Sequence, residues 1–359
     1  MNRPSQRGFN LIDIMIGLAI SLFGLLAVSK VLMDFNQQRN TTAQTMEAQN
    51  NGVMALYLLE RDLGQAGYGL MSIQDCTQIN WYNATNGGAQ TPLSILPVQI
   101  ADGGTGNSDS MLIQYGGSSQ GLPLVQASGN QAVFGANIGV TSPVGTYTST
   151  ANPSEPKPLI VADVAGVCTL YQVTDPTIVG SLPIAAAASS YNAAASPGAG
   201  WPLVQATNTI AILGTFTSKT YDISNGNLRV GAFPSAYSAG PPPAYSNPTT
   251  LVDGIVLLKA QYGLDANGDG TVDSWAGGGT AINNTTARPV AVRVGIVARS
   301  PLYEKDAVDA PTLLCVLPGT VTGTCDSGSA GMVQYTVPDA HYRYKVYYTI
   351  IPLRNVIWG

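Results

Sequence analysis

The stretch Asp265-Ala266-Asn267-Gly268-Asp269-Gly270-Thr271-Val272-Asp273 sets oxygen-bearing side chains at alternate positions around a glycine turn. This D-x-[DN]-x-[DN]-G-x-x-D spacing gathers hard oxygen ligands of the kind Ca²⁺ prefers. The expected ligands are Asp265, Asn267, Asp269, Asp273 and the backbone carbonyl of Thr271. Position twelve, where an EF-hand supplies a bidentate Glu, is Ala276. Another segment or water must therefore complete the shell, and the alternative is a polar hairpin tip that binds no ion. Calcium is the one cofactor expected; no organic cofactor is.

The remaining chemistry-bearing residues are few. The cysteines are Cys76, Cys168, Cys315 and Cys325, an even number with no C-x-x-C pair among them. Zinc-ribbon and thioredoxin spacings are thus absent, and disulfides in an oxidising compartment fit best, with Cys76 paired to Cys168 and Cys315 to Cys325. The single histidine, His341, has no G-x-S-x-G elbow or H-E-x-x-H helix to join, and reads as a surface or strand-edge residue. No P-loop or dinucleotide fingerprint follows a strand. The expectation is a protein that is not an enzyme.

Composition narrows the field further. Charged residues are 10% of the 359, against about 25% in an ordinary domain. With 16 Lys and Arg against 21 Asp and Glu, the chain has no basic stripe to neutralise phosphates, and nucleic-acid binding is not expected.

These residues must be carried by elements, and the first is the N-terminus. Arg3 and Arg7 precede an almost wholly apolar run over residues 9–28, broken only by Asn10, Asp13 and Ser21. About 20 such residues span a bilayer, and the preceding positive charges predict a cytoplasmic start. A secretory signal peptide cut near Ala27 and an uncut anchor are both compatible with that run. Neither explains Asp13, since an acid inside an apolar span costs about 2.5–3.5 kcal/mol near the helix centre and needs a partner.

The segment Arg7-Gly8-Phe9-Asn10-Leu11-Ile12-Asp13 resembles the type IV prepilin signal. The resemblance implies cleavage after Gly8 by a prepilin peptidase, methylation of the new N-terminal Phe9, and pairing of the Phe9 amine with the acid four residues on, between neighbouring subunits. The family's usual Glu is Asp13 here, one methylene shorter. A second segment, from Asn51-Gly52 through Ala55, Leu59, Asp62-Leu63 and Ala66-Gly67-Tyr68, is similar to the N-G-x-x-A-x-x-x-L-x-x-D-L-x-x-A-G-Y pattern of PilW-type minor pilins. The implied role is to prime pilus assembly and to reside in a tip complex. The implied partners are other minor pilins, the major pilin, the inner-membrane assembly platform and lipid. The implied location is the bacterial inner membrane with a periplasmic head, then the pilus. A minor pseudopilin of type II secretion and a tip adhesin or ligand-binding module are the alternatives.

The expected fold is α+β. Residues 1–8 form the leader, 9–30 the membrane part of a long helix, 31–69 its amphipathic part and the join, and 70–359 a mainly β antiparallel head. Val53, Leu56, Leu59 and Leu63 predict one buried helix stripe, with bending or melting near Thr41-Thr42 and Asn50-Asn51-Gly52. Glu60, Arg61 and Asp62 read as a solvated face. In the head, Asn225-Gly226 predicts a hairpin over 221–230. Runs at 111–115, 209–213, 255–262, 289–298 and 343–351 predict strands, and the alternation Val290, Val292, Val294, Ile296 predicts one buried face. The stretches 185–190 and 241–243 read as mobile loops.

Overall fold

The computed structural model describes residues 11–357 except 71–75, 77, 84–87, 90–91, 95, 118–123, 142–158, 175–179, 185–190, 199, 215, 233–247, 281, 283–287, 309–310, 320–324 and 326–330. Gly8, Phe9 and the stretches 185–190 and 241–243 lie outside the described residues.

One helix, α1 (Leu11–Leu63), opens the chain. Then come β1 (Gln78–Asn80), β2 (Tyr82–Asn83), β3 (Gly88–Ala89), β4 (Leu93–Ser94), β5 (Val98–Ala101), β6 (Ser110–Tyr115), β7 (Leu124–Gln126) and β8 (Ile138–Gly139). These are followed by β9 (Leu159–Val164), β10 (Val167–Gln172), β11 (Ser181–Leu182), β12 (Thr209–Gly214), β13 (Thr217–Ser224), β14 (Asn227–Ala232) and β15 (Thr249–Asp253). The chain closes with β16 (Ile255–Asp265), β17 (Ser274–Ala276), β18 (Arg288–Arg299), β19 (Leu313–Leu317), β20 (Val333–Thr336), β21 (Tyr344–Pro352) and α2 (Arg354–Ile357).

The helix runs without a break through Thr41-Thr42 and Asn50-Asn51-Gly52, where local melting is expected from propensity alone. Thr42 and Thr45 turn their hydroxyls back to the carbonyls of Gln38 and Thr41, at 3.0 and 2.9 Å, which satisfies the hydroxyls without strengthening the helix; what holds it is the head, which packs along one side from Gln44 onward. Tertiary packing of one face contributes more than weak residues subtract. After Leu63 the chain leaves the helix through a turn in which Gly67 takes φ 78°, the left-handed conformation glycine adopts without strain. Its amide donates to the Gln114 carbonyl at 2.9 Å, joining the turn to β6.

The principal lobe of the head has two antiparallel sheets, β15-β14-β13-β6-β5 and β17-β16-β18-β21. Both share one core with α1, in which Leu59, Leu63, Met111, Tyr221, Leu258, Val294 and Ile351 are buried together. The β13–β14 hairpin turns at Asn225 and Gly226 with φ of 52° and 72°, the two positive values of a type I′ turn. In β18 the alternation does not mark one buried face: residues 289–298 are all buried. Val292, Val294 and Ile296 belong to the core shared with α1. The opposite face is covered by the β19–β20 hairpin, whose Val316 and Leu317 cluster with Val297 and Leu257. A central strand covered on both sides is buried along its length, and Arg293, the one charged residue of that span, is buried with it.

A second lobe is built on the six-stranded sheet β4-β1-β10-β9-β12-β7, antiparallel except for the parallel β1/β10 pair. Its own core includes Ile160, Tyr171, Val204 and Ile210. The disulfides pair Cys76 with Cys168 and Cys315 with Cys325, at Cα separations of 5.8 and 5.9 Å. The first ties the segment ahead of β1 into β10; the second closes the loop after β19.

Candidate functional site

Three places could carry function: the exposed half of α1, its junction with the head, and the loop after β16. Every residue from 11 to 40 is exposed. This half is long and apolar enough to cross a membrane, and none of its apolar window is covered by the head. A helix that is apolar on all sides requires lipid or other helices around it. Asp13 is exposed in this run and makes no ion pair among the described residues.

The junction is built from small residues. The buried positions of α1 are Gln44, Ala48, Gly52, Ala55, Leu59, Asp62 and Leu63, close to one face at 3.6 residues per turn. Of the predicted stripe, Leu59 and Leu63 are buried and Leu56 is half-buried, but Val53 is 59% exposed on the opposite side. Small residues do the burying because β21 lies close: a Cβ on Gly52 would stand 2.3 Å from the Tyr347 ring. The PilW-like positions Gly52, Ala55, Leu59, Asp62, Leu63, Ala66 and Gly67 are thus the surface that seats the helix on the head.

Asp62 corrects the expectation of a solvated face. Its side chain is 1% exposed, and its carboxylate accepts from the Tyr221 hydroxyl at 2.5 Å, Lys219 Nζ at 2.6 Å and Arg61 Nε at 3.3 Å. Burial works to raise its pKa; hydrogen bonds from Lys219, Tyr221 and Arg61 outweigh that and hold it below the usual carboxylate value. On Lys219, burial pulls the ammonium pKa down and the bond to Asp62 carries it up past its ordinary value. Burial, then Asp62, push the Tyr221 phenol up. An acid at a helix C-terminus opposes the helix dipole, so these donors are what keep it ionised there.

In the loop, Asp265 is 1% exposed. Its oxygens accept the amides of Gly268 at 2.6 Å, Gly270 at 2.9 Å and Asn267 at 3.1 Å. Burial would raise its pKa, but those amides, Gly270 first, hold it low; Asp269 is lowered chiefly by the Thr271 hydroxyl. Asp273 accepts the Ala266 amide at 2.8 Å. Asn267 Nδ2 stands between Asp269 and Asp273, 3.2 and 3.5 Å from their oxygens. None of the three acids pairs with a basic side chain among the described residues. The one described group of three metal-type side chains in mutual reach is Cys76, Asp163 and Cys168, whose sulfurs form a disulfide.

Two further residues have structural work. Arg293, 3% exposed, donates to Gln261 and to the carbonyls of Pro318 and Gly331, each at 3.0 Å, and lies 4.9 Å over the Trp275 ring. It pins both ends of the connection between β19 and β20 to the sheet. His341 bonds through Nδ1 to the Glu304 carbonyl at 2.8 Å and stacks on Tyr303, which is a structural placement.

A long N-terminal apolar helix joined to an antiparallel-rich β head defines an α+β protein whose helix is long and apolar enough to cross a membrane. Residues 220–355, within the head, match the family model of PilW, Type IV Pilus-assembly protein W. That segment spans most of β13 through α2, the strands that seat α1. Comparison with the curated proteins gives no match. Among solved structures, a type IV-like pilin from Thermus thermophilus is similar at 11% identity, over 86% of this chain and 96% of that one, with a TM-score of 0.37.

Proposed function

We propose that this protein is a minor pilin that primes type IV pilus assembly and resides in a tip complex with other minor pilins. The observation that carries the reading is the division of α1. Its start, residues 11–28, is apolar on all sides but for one acid, Asp13, and a polar residue, Ser21, and its end is seated on the head through a buried charge network. Cleavage after Gly8 frees the amine of Phe9, the peptidase methylates it in a separate step, and Asp13 of one subunit pairs with the amine of another. Two charges that are costly alone in an apolar medium then offset each other and fix the axial register of packed helices. The chemistry is assembly, not turnover. The platform in the inner membrane receives the processed subunit with its head in the periplasm.

Gly8→Val tests the reading: an uncleaved precursor retained in the membrane is expected, and a normally methylated N-terminus in that variant contradicts it. Deleting the gene separates the roles. Loss of pili supports priming; intact pili with lost attachment support the adhesin alternative, and lost secretion with intact pili supports the pseudopilin alternative.

A second reading concerns the loop at Asp265. Three acids without a basic partner, one of them buried, favour a cation there, and Asp265, Asn267, Asp269, Asp273 and the Thr271 carbonyl would hold Ca²⁺. The ion would stiffen the connection from β16 to β17. Asp269→Ala should lower the melting temperature only when calcium is present; equal melting of both forms with and without chelator removes the ion.

A further inference from the structure

In the principal lobe, Lys259 of β16 turns its ammonium into the connection between β5 and β6, residues 102–109. Lys259 is 6% exposed, and Asp109 beside it is 3% exposed. Lys259 Nζ donates to Asp109 Oδ1 at 2.7 Å, to the Gly104 carbonyl at 2.8 Å and to Asp102 Oδ1 at 3.3 Å. Among the described residues, Lys259–Asp109 is the one ion pair whose side chains are both buried. The backbone fixes their approach. The Asp109 amide donates to the Leu258 carbonyl at 2.8 Å, and the Leu258 amide donates to the Ser108 hydroxyl at 3.2 Å. Gly103 lets the connection fold back on itself, since a Cβ there would stand 2.0 Å from the Ser108 carbonyl oxygen.

A buried ion pair is a weak source of stability, because desolvating both charges offsets most of their attraction. The surroundings of this one hold the parts of a condensation site. An amine is in contact with a carboxyl group that it could attack. Asp109 Oδ2 accepts the Ala260 amide at 2.9 Å and Oδ1 accepts the Gly103 amide at 3.0 Å, donors placed to hold the charge that develops on a carboxyl oxygen under attack. The two acids are pushed in opposite directions. Burial raises the pKa of Asp109 against the bonds from Lys259, Ala260 and Gly103, whereas the Gly104 amide, before any other cause, holds Asp102 low. Asp109 is therefore the carboxyl suited to take up a proton, and Asp102 the carboxylate suited to carry one. A cavity of about 210 Å³ borders Asp102, Asp109 and Lys259 and gives a released water a way out.

We propose that Lys259 and Asp109 condense to an isopeptide bond, with Asp102 moving the proton, and that the bond joins the two sheets of the principal lobe covalently. The ammonium first gives a proton to Asp109 Oδ1, leaving an amine and a carboxylic acid. Nζ then attacks Cγ, and the Ala260 amide holds the charge on Oδ2. Asp102 takes a second proton from Nζ and delivers it to the hydroxyl at Oδ1. The Cγ–Oδ1 bond breaks, one water leaves, and Asp102 is regenerated. No oxidant or outside reactant is consumed, and the fixed contact of the two groups supplies the rate. The partners are 150 residues apart, so the bond closes a loop that contains β6 to β15. The reaction is internal to the head and independent of the pilin reading.

Peptide mass spectrometry of the full chain, purified in detergent, reduced and digested with trypsin, tests the bond. The expected species is a branched peptide joining the Lys259 and Asp109 segments, lighter by one water than their sum, with no cut after Lys259. Linear peptides from both segments, with the cut after Lys259 made, would overturn the bond and leave an ion pair alone. Lys259→Arg keeps the positive charge and should yield only linear peptides; a branch at Asp109 in that variant would assign the attack to another lysine and overturn the pairing. Asp102→Asn should slow bond formation about a hundredfold in a pulse-chase of newly made chains, with its melting temperature recorded to show that it folds. Bond formation at the wild-type rate in that folded variant would remove Asp102 from the reaction. The digest of the unmodified sequence decides the bond whether or not either variant folds.

Discussion

Asp62 shows how one side chain joins two parts of this molecule. Its donors Lys219 and Tyr221 come from β13, 157 and 159 residues away in sequence. Asp62→Asn should destabilise the protein by about 2–3 kcal/mol at neutral pH, by leaving a partly buried lysine without its counter-charge. The pH dependence follows from the lowered pKa of Asp62. Its contribution is complete above the unfolded carboxyl value of about 3.9 and is lost as pH falls from there toward the lower folded value. Urea titrations at pH 7 and pH 3 measure this: the gap between wild type and Asp62→Asn should narrow in acid. A gap that is constant with pH would show that the carboxylate's charge is not what matters. None of this is legible locally, since a chain read in short windows places Glu60, Arg61 and Asp62 in solvent; the acid of the PilW-like pattern marks the position without giving the reason.

At the scale of elements, the helix, the hairpin and the principal strands follow from pattern alone, because apolar runs, Asn225-Gly226 and β-branched segments each express a local preference. What escapes is which face of each element is covered. Counting large apolar residues along α1 selects Val53, whereas the buried face is formed by Ala48, Gly52 and Ala55 because the sheet approaches too closely for larger side chains. For β18 the second cover comes from a hairpin that follows it in sequence, so its alternation says nothing about exposure. The Gly52–Tyr347 contact gives a prediction. Gly52→Leu should destabilise by about 1–3 kcal/mol through overpacking, and Tyr347→Ala in the same chain should recover part of that loss. A double-mutant cycle with no coupling between the two sites would contradict the close approach.

At the scale of the whole molecule, the chain divides its labour between two lobes. The PilW match covers the strands that seat α1, while the six-stranded lobe lies outside it and has its own core and disulfide. The four cysteines and their pairing are legible from count, spacing and compartment; the two-lobed arrangement is not, because β5 and β6 join the principal lobe between segments of the second. A bridge closing 92 residues contributes about 4–5 kcal/mol on chain-entropy grounds. Replacing Cys76 and Cys168 by Ser should therefore cut hydrogen-exchange protection in β1, β9 and β10 and leave β16 and β18 protected. Equal loss in both lobes would show that they unfold as one unit.

The central claim is that α1 is a processed membrane and filament helix, with Asp13 answering a charge created at Phe9. Intact-mass and N-terminal peptide analysis of the protein isolated from membranes and from sheared pili tests it most directly. A chain beginning at N-methylated Phe9 and retaining the whole of α1 is the predicted result. A soluble chain beginning near Lys30, or a pilus-borne chain still carrying residues 1–8, would contradict it.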